Sequence, residues 1–127
     1  MSFIIDEDTE NVVEPGTVPA GEYELRIIKA ESKNSQKGEP MIAIQLDIPS
    51  EPTAKDIYLY VMLPTSSDDE KKKAQKLVNL KRFKTAFNLP QTGPINSDDL
   101  DGLMTWAILD EKEDEEYGKS NRIKRFV

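Results

Sequence analysis

Tyr58 and Tyr60 alternate with Ile57, Leu59 and Val61. In an extended chain that alternation sends the aliphatic side chains to one face and both rings to the other, about 7 Å apart. Two rings at that spacing offer stacking planes to successive bases of a single strand. Each stacked base contributes roughly 1–3 kcal/mol when Lys or Arg also tracks the phosphates. Cations lie at suitable places along the chain: Lys33 and Lys37 in a polar stretch, Lys55 just before Ile57, and Arg122 and Lys124, which alternate with Ile123 beside Phe126. Tyr58, Tyr60, Lys33, Lys37, Lys55, Arg122, Lys124 and Phe126 therefore form the candidate set for binding single-stranded nucleic acid. The competing reading of the tyrosines is structural, as amphipathic strand residues covering the outside of a barrel.

Other chemistry finds less support. The chain has no Cys and no His, which excludes disulfides, thiolate chemistry, ordinary zinc sites and the Ser-His and Cys-His catalytic arrangements. Asp98, Asp99 and Asp101 are close enough in sequence to suggest a Mg²⁺ site. Turn and capping roles before a strand account for them, and no base or Lys partner is placed nearby. No catalytic residue, metal or cofactor is assigned. Lys71, Lys72, Lys73, Lys76, Lys81, Arg82 and Lys84 read as the solvated side of a helix, and Trp106, flanked at alternate positions by Met104 and Ile108, reads as core.

A net charge of −7, from 17 basic and 24 acidic residues, argues at face value against a nucleic-acid partner. The charge is concentrated. Residues 1–14 carry five acids and no base, and residues 110–116 carry six acids and Lys112; removing these two blocks of −5 from −7 leaves +3 for the remainder. No apolar run approaches the ~18 residues of a membrane span, and the N-terminus lacks the basic and apolar regions of a signal peptide. The expected location is cytoplasmic.

These residues need a scaffold to position them. Residues 67–87 carry Leu77, Leu80, Phe83 and Phe87 at helical spacing. Ser67 and Glu70 have the spacing of a capping box, and Pro90 and Gly93 mark the end. Apolar alternation predicts strands over residues 22–30, 41–48, 56–63, 103–109 and 121–127, with polar loops at 31–39 and 110–118. The expected core comprises Leu25, Ile27, Ile42, Ile44, Leu46, Ile57, Leu59, Val61, Leu77, Leu80 and Phe83. Three strands, a helix and two strands is the layout of an all-β fold with one helix: a five-stranded Greek-key OB-fold barrel with the helix between strands three and four. Residues 1–16 read as an acidic, mobile leader and 17–127 as a single OB-fold domain.

The pieces also carry a resemblance. Val18-Pro19-Ala20-Gly21-Glu22-Tyr23-Glu24, then Lys29-Ala30-Glu31, Leu80-Lys81-Arg82-Phe83, Asp99-Leu100-Asp101-Gly102, Tyr117-Gly118 and Asn121-Arg122-Ile123-Lys124 follow one another in this order. In that order they resemble a family of small phage-encoded OB-fold proteins grouped with phage single-stranded-DNA-binding proteins. The resemblance implies single-stranded DNA as partner, a role in phage DNA replication or recombination within the host cytoplasm, and phage or host replication and recombination proteins as further partners. A barrel that recruits such proteins without binding DNA is the alternative.

Overall fold

The computed structural model describes residues 1–12, 16–116 and 118–127, so residues 13–15 of the expected leader and Tyr117 of the Tyr117-Gly118 pair lie outside the described residues. Among the described residues five strands and one helix follow in order: β1 (Gly21–Asn34), β2 (Pro40–Asp47), β3 (Ile57–Met62), α1 (Glu70–Ala86), β4 (Met104–Asp114) and β5 (Gly118–Phe126), with a 3₁₀ turn at Ser97–Asp99. All strand pairs are antiparallel, in the order β3-β2-β1-β4-β5. The fold is mostly β with one helix, built on one open sheet. Its ladder does not close among the described residues, and β3 and β5 are left as its two edges.

The long strand β1 is the spine of this sheet. Its first half pairs with β4, from Gly21↔Leu109 to Arg26↔Met104, and its second half with β2, from Arg26↔Asp47 to Asn34↔Pro40. Between Ile27↔Leu46 and Lys29↔Gln45 the register slips by one residue. Ile28 is the extra residue, and such a bulge bends a strand and increases its twist. Ala30 is thereby turned to the same buried side as Leu25 and Ile27. Simple alternation, which stopped the expected strand at residue 30, does not anticipate a bulge that carries the strand on to Asn34.

Leu25, Ile27, Ile44, Leu46, Ile57, Val61 and Phe83 are buried, and Ile42, Leu59 and Leu80 pack half-buried against them. Leu77 departs from expectation: it is 45% exposed, and Lys76 is buried in its place. The inward line of α1 is therefore Lys76, Leu80, Phe83 and Phe87, which is also helically spaced. A lysine is tolerated there because its Nζ donates to both carboxylate oxygens of Asp68, at 3.1 and 3.0 Å, and the Asp68 side chain is itself buried. Asp68 also accepts the Thr65 backbone N–H at 2.9 Å. Glu39, in the β1–β2 turn, takes an ion pair from Lys72, which ties that turn to the start of the helix.

Both ends of α1 are capped differently from expectation. Asp69 is the N-cap, its carboxylate accepting the Lys72 N–H at 2.7 Å, while the Ser67 hydroxyl pairs with that of Thr65. Asp69 holds the cap two residues later than the Ser67 box, and its carboxylate supplies the stronger acceptor. At the other end Asn88 adopts φ 56°, with Asn88 N–H on the Thr85 carbonyl and Leu89 N–H on that of Lys84. This is a Schellman cap with Asn in the left-handed position. The helix stops before Pro90 is reached.

Three further expectations are corrected in β4 and β5. The acidic stretch is not a loop, because β4 runs on to Asp114 and β5 begins at Gly118. Opposite charges face each other across this hairpin, with Asp110↔Arg122 and Glu113↔Lys119, and such pairs support a ladder that apolar alternation cannot reveal. Trp106 is not core. Thr105, Ala107 and Leu109 face inward and Trp106 is 50% exposed. Small residues suit the inner positions because the end of α1 packs there: Thr105 Oγ1 donates to the Ala86 carbonyl at 2.8 Å, and Phe83 and Phe87 fill the space. Finally, Lys124 and Arg125 together oppose Ile108 in a second bulge, which shifts the phase of β5. Phe126 is turned toward the core and Arg125 away from it.

Candidate nucleic-acid interface

The outer face of β1, β2 and β3 is built from three cross-strand rows. They are Lys29–Gln45–Tyr58, Glu31–Ala43–Tyr60 and Lys33–Met41–Met62. Tyr58 is 58% and Tyr60 54% exposed, as their alternation with Ile57, Leu59 and Val61 requires. Ala43 is the smallest side chain in the three rows, and beside it lies a groove of about 140 Å³ bordered by both tyrosines, Gln45, Lys29 and Lys33. Glu31 lies 3.6 Å from Lys29 and 3.8 Å from Lys33, both at exposed positions where such pairs contribute little. Gln45 Nε2 donates to Asp56 at 2.6 Å and is held in place.

Tyr60 also borders two other hollows. One, about 430 Å³, lies under the β1–β2 turn, with Met41, Met62 and Lys37 around it. The other, about 260 Å³, is the cleft between the two open edges of the sheet, where Arg82 of α1 and Lys124 and Arg125 of β5 stand over an apolar wall that includes Phe83 and Phe126. Tyr60 is the ridge that joins all three. Among the described residues Arg82, Lys124 and Arg125 have no ion-pair partner. By contrast, Arg26, Lys29, Lys33, Lys72, Lys76 and Arg122 each have a carboxylate within 4.0 Å. In a chain of net charge −7, three uncompensated cations around one cleft give it a local positive potential focused by low-dielectric walls.

The candidate residues fall into two groups. Tyr58, Tyr60, Lys33, Lys37 and Lys124 come together along the outer face and the cleft. Phe126 joins them as part of the cleft wall, packed edge-on against Phe87 with ring centroids 5.9 Å apart, so it is not a free stacking plane. Lys55 lies apart: its Nζ donates to the Lys119 carbonyl at 3.1 Å. Arg122 is engaged by Asp110 at 2.8 Å, and that hydrogen bond raises its pKa further. Arg82, Arg125, Met41 and Met62 belong to the same surface and are absent from the sequence-derived set. Arg82 carries no signal that separates it from the other helix cations, and Arg125 reaches the cleft only through the bulge.

The family described as a protein of unknown function, DUF669, matches residues 5–119. The chain belongs to that family. No curated protein matches it. The DUF669 match takes in β1 to β4, hence both tyrosines and Arg82, and stops before Lys124 and Arg125. Asp98 and Asp99 sit in the 3₁₀ turn, where Asn96 Oδ1 accepts the Asp98 N–H at 3.0 Å. Among the described residues no three Asp or Glu side chains converge in a way that would hold a metal ion. No helix among them is long and apolar enough to cross a membrane.

Proposed function

We propose that this protein binds single-stranded DNA along the outer face of β1–β2–β3 and the adjoining β3–β5 cleft. The observation that carries the reading is the pair of half-exposed tyrosines, two residues apart on β3, beside a cleft with three cations that have no ion-pair partner among the described residues. Bases stack on Tyr58 and Tyr60, while Arg82, Lys124 and Arg125, with Lys33 and Lys37 toward the β1–β2 turn, meet the phosphates. The strand order β3-β2-β1-β4-β5 and a helix between β3 and β4 support an OB-type barrel left open between β3 and β5, a partly open five-stranded architecture used for oligonucleotides. The family resemblance noted above favours a phage protein that coats or protects single strands in the host cytoplasm during replication or recombination, without itself performing catalysis.

A protein-interaction role has its own support in the face of β1 and β4, where half-exposed Trp106 and Met104 stand beside Glu22 and Glu24. Anisotropy titrations of labelled oligo-dT and of duplex DNA at low and moderate salt separate the two. Salt-sensitive binding that prefers the single strand supports DNA coating; no binding to either selects protein recruitment.

A further inference from the structure

Phe3, Ile4 and Ile5 are 88–89% exposed, three consecutive large apolar side chains with no cover. Asp6, Glu7 and Asp8 follow them directly. The cleft between β3 and β5 has the complementary composition, an apolar wall beneath Arg82, Lys124 and Arg125. The chain also launches its leader from the same seam. Gly16 is bonded on both sides to the segment before β3, its N–H to the Thr53 carbonyl at 3.3 Å and its carbonyl to the Lys55 N–H at 2.8 Å. Two residues on, Val18 is clasped by the Asn121 side chain of β5. Residues 16–18 are thus wedged between the N-terminal end of β3 and β5, and the cleft lies farther along the same two strands.

We propose that this cleft is also a peptide-binding site and that its occupant is the chain's own leader. Phe3, Ile4 and Ile5 pack on the apolar wall, and Asp6, Glu7 and Asp8 meet Arg82, Lys124 and Arg125. The leader reaches: from Gly16 back to Ile5 the chain spans up to roughly 36 Å when extended, whereas β3 is only about 20 Å long. Tethering makes the encounter intramolecular, with an effective concentration on the order of millimolar. The exposed leader described above is the open form, and the docked form competes with a phosphodiester strand for the same three cations. Docking by itself does not depend on DNA; the competition rests on the proposed strand binding.

The test uses the full chain. Because the chain has no Cys, Ser2→Cys gives a single attachment point for a nitroxide. At about 20 mM salt, where exposed charges are poorly screened, the nitroxide is expected to broaden backbone amides of residues 59–62, 82 and 123–126. The broadening should fade at about 500 mM salt and on the triple change Asp6→Asn, Glu7→Gln, Asp8→Asn. Broadening confined to residues near Gly16 would overturn the proposal. So would broadening seen only between nitroxide-bearing and isotope-labelled copies in a mixed sample, which would assign the leader to a second copy. A leader that fills the cleft about four-fifths of the time weakens apparent strand affinity about fivefold, so the triple variant should bind oligo-dT about fivefold tighter at low salt and equally at high salt. Unchanged affinity in a triple variant that has lost the broadening would overturn the competition and leave the docking.

Discussion

Replacing Asn121 by Ala removes the clasp that fixes the start of the domain to β5. The Asn121 carboxamide accepts the Val18 N–H at 2.9 Å and donates to the Val18 carbonyl at 2.9 Å and to the Asp110 carbonyl at 3.2 Å. It imitates the two-way exchange of a strand partner for a residue that has no strand. Asn121 and Val18 are both buried, so the alanine variant leaves one donor and one acceptor of Val18 without partners. A buried polar group left unsatisfied costs about 1–3 kcal/mol, and two such groups with partial entry of water give about 2–4 kcal/mol. In a domain of this size that lowers Tm by roughly 8–16 °C. Urea unfolding followed by far-UV circular dichroism measures it, with the m-value expected to stay constant. The aspartate variant sharpens the test. Its carboxylate still accepts from Val18 but sets an oxygen against two carbonyl oxygens, so Asn121→Asp is expected to be at least as unstable as Asn121→Ala at neutral pH. Repulsion raises the folded-state pKa of the new acid above the unfolded-state value near 4, so the charge penalty is full above the folded-state value, shrinks as pH falls between the two, and is gone below about pH 4, where the carboxyl is protonated in both states and can donate. An alanine variant within about 0.5 kcal/mol of the parent would refute the reasoning.

The double change Tyr58→Leu, Tyr60→Leu keeps apolar bulk and is expected to weaken oligo-dT binding at least about tenfold at fixed salt with little change in stability; binding equal to that of the parent would remove β3 as the platform. Lys124→Gln and Arg125→Gln should each reduce the slope of log affinity against log salt by about 0.7, whereas Arg122→Gln, already paired with Asp110, should leave it unchanged, and equal losses at all three would contradict the assignment of the cleft. Phe83→Ala is expected to cost about 3–5 kcal/mol in denaturant melts and Leu77→Ala under about 0.5 kcal/mol, the reverse order being incompatible with the helix orientation. Asp68 is held below the usual carboxylate range first by the Thr65 backbone N–H and then by Lys76, and Glu39 by its hydrogen bond to Lys72. Their stabilisation is therefore complete above the unfolded-state values near 4 and is lost as pH falls through the lowered folded-state values. Asp68→Asn should lower stability at pH 7 and flatten its decline in acid, and an unchanged acid limb in urea melts would exclude Asp68 from it.

The sequence alone determined the strand–strand–strand–helix–strand–strand order, the buried faces of β2 and β3, and the outward direction of Tyr58 and Tyr60. Each of these follows from local periodicity, because an apolar side chain every second or every third to fourth residue leaves one face to bury. Tertiary structure decided what depends on partners distant in sequence. The inward position of Lys76 needs the carboxylate of Asp68 folded over the helix start, and the extension of β4 and β5 through the acidic stretch needs facing charges that meet only once the hairpin forms. Trp106 points outward because its neighbours Thr105, bonded to the Ala86 carbonyl at the end of α1, and Ala107 take the buried face of the strand. The cleft itself was hidden by one residue. Side chains of a strand alternate strictly only while the ladder is regular, so the extra residue at Lys124 sends Phe126 inward and Arg125 outward, and only the pairing partner across the strand can register that slip.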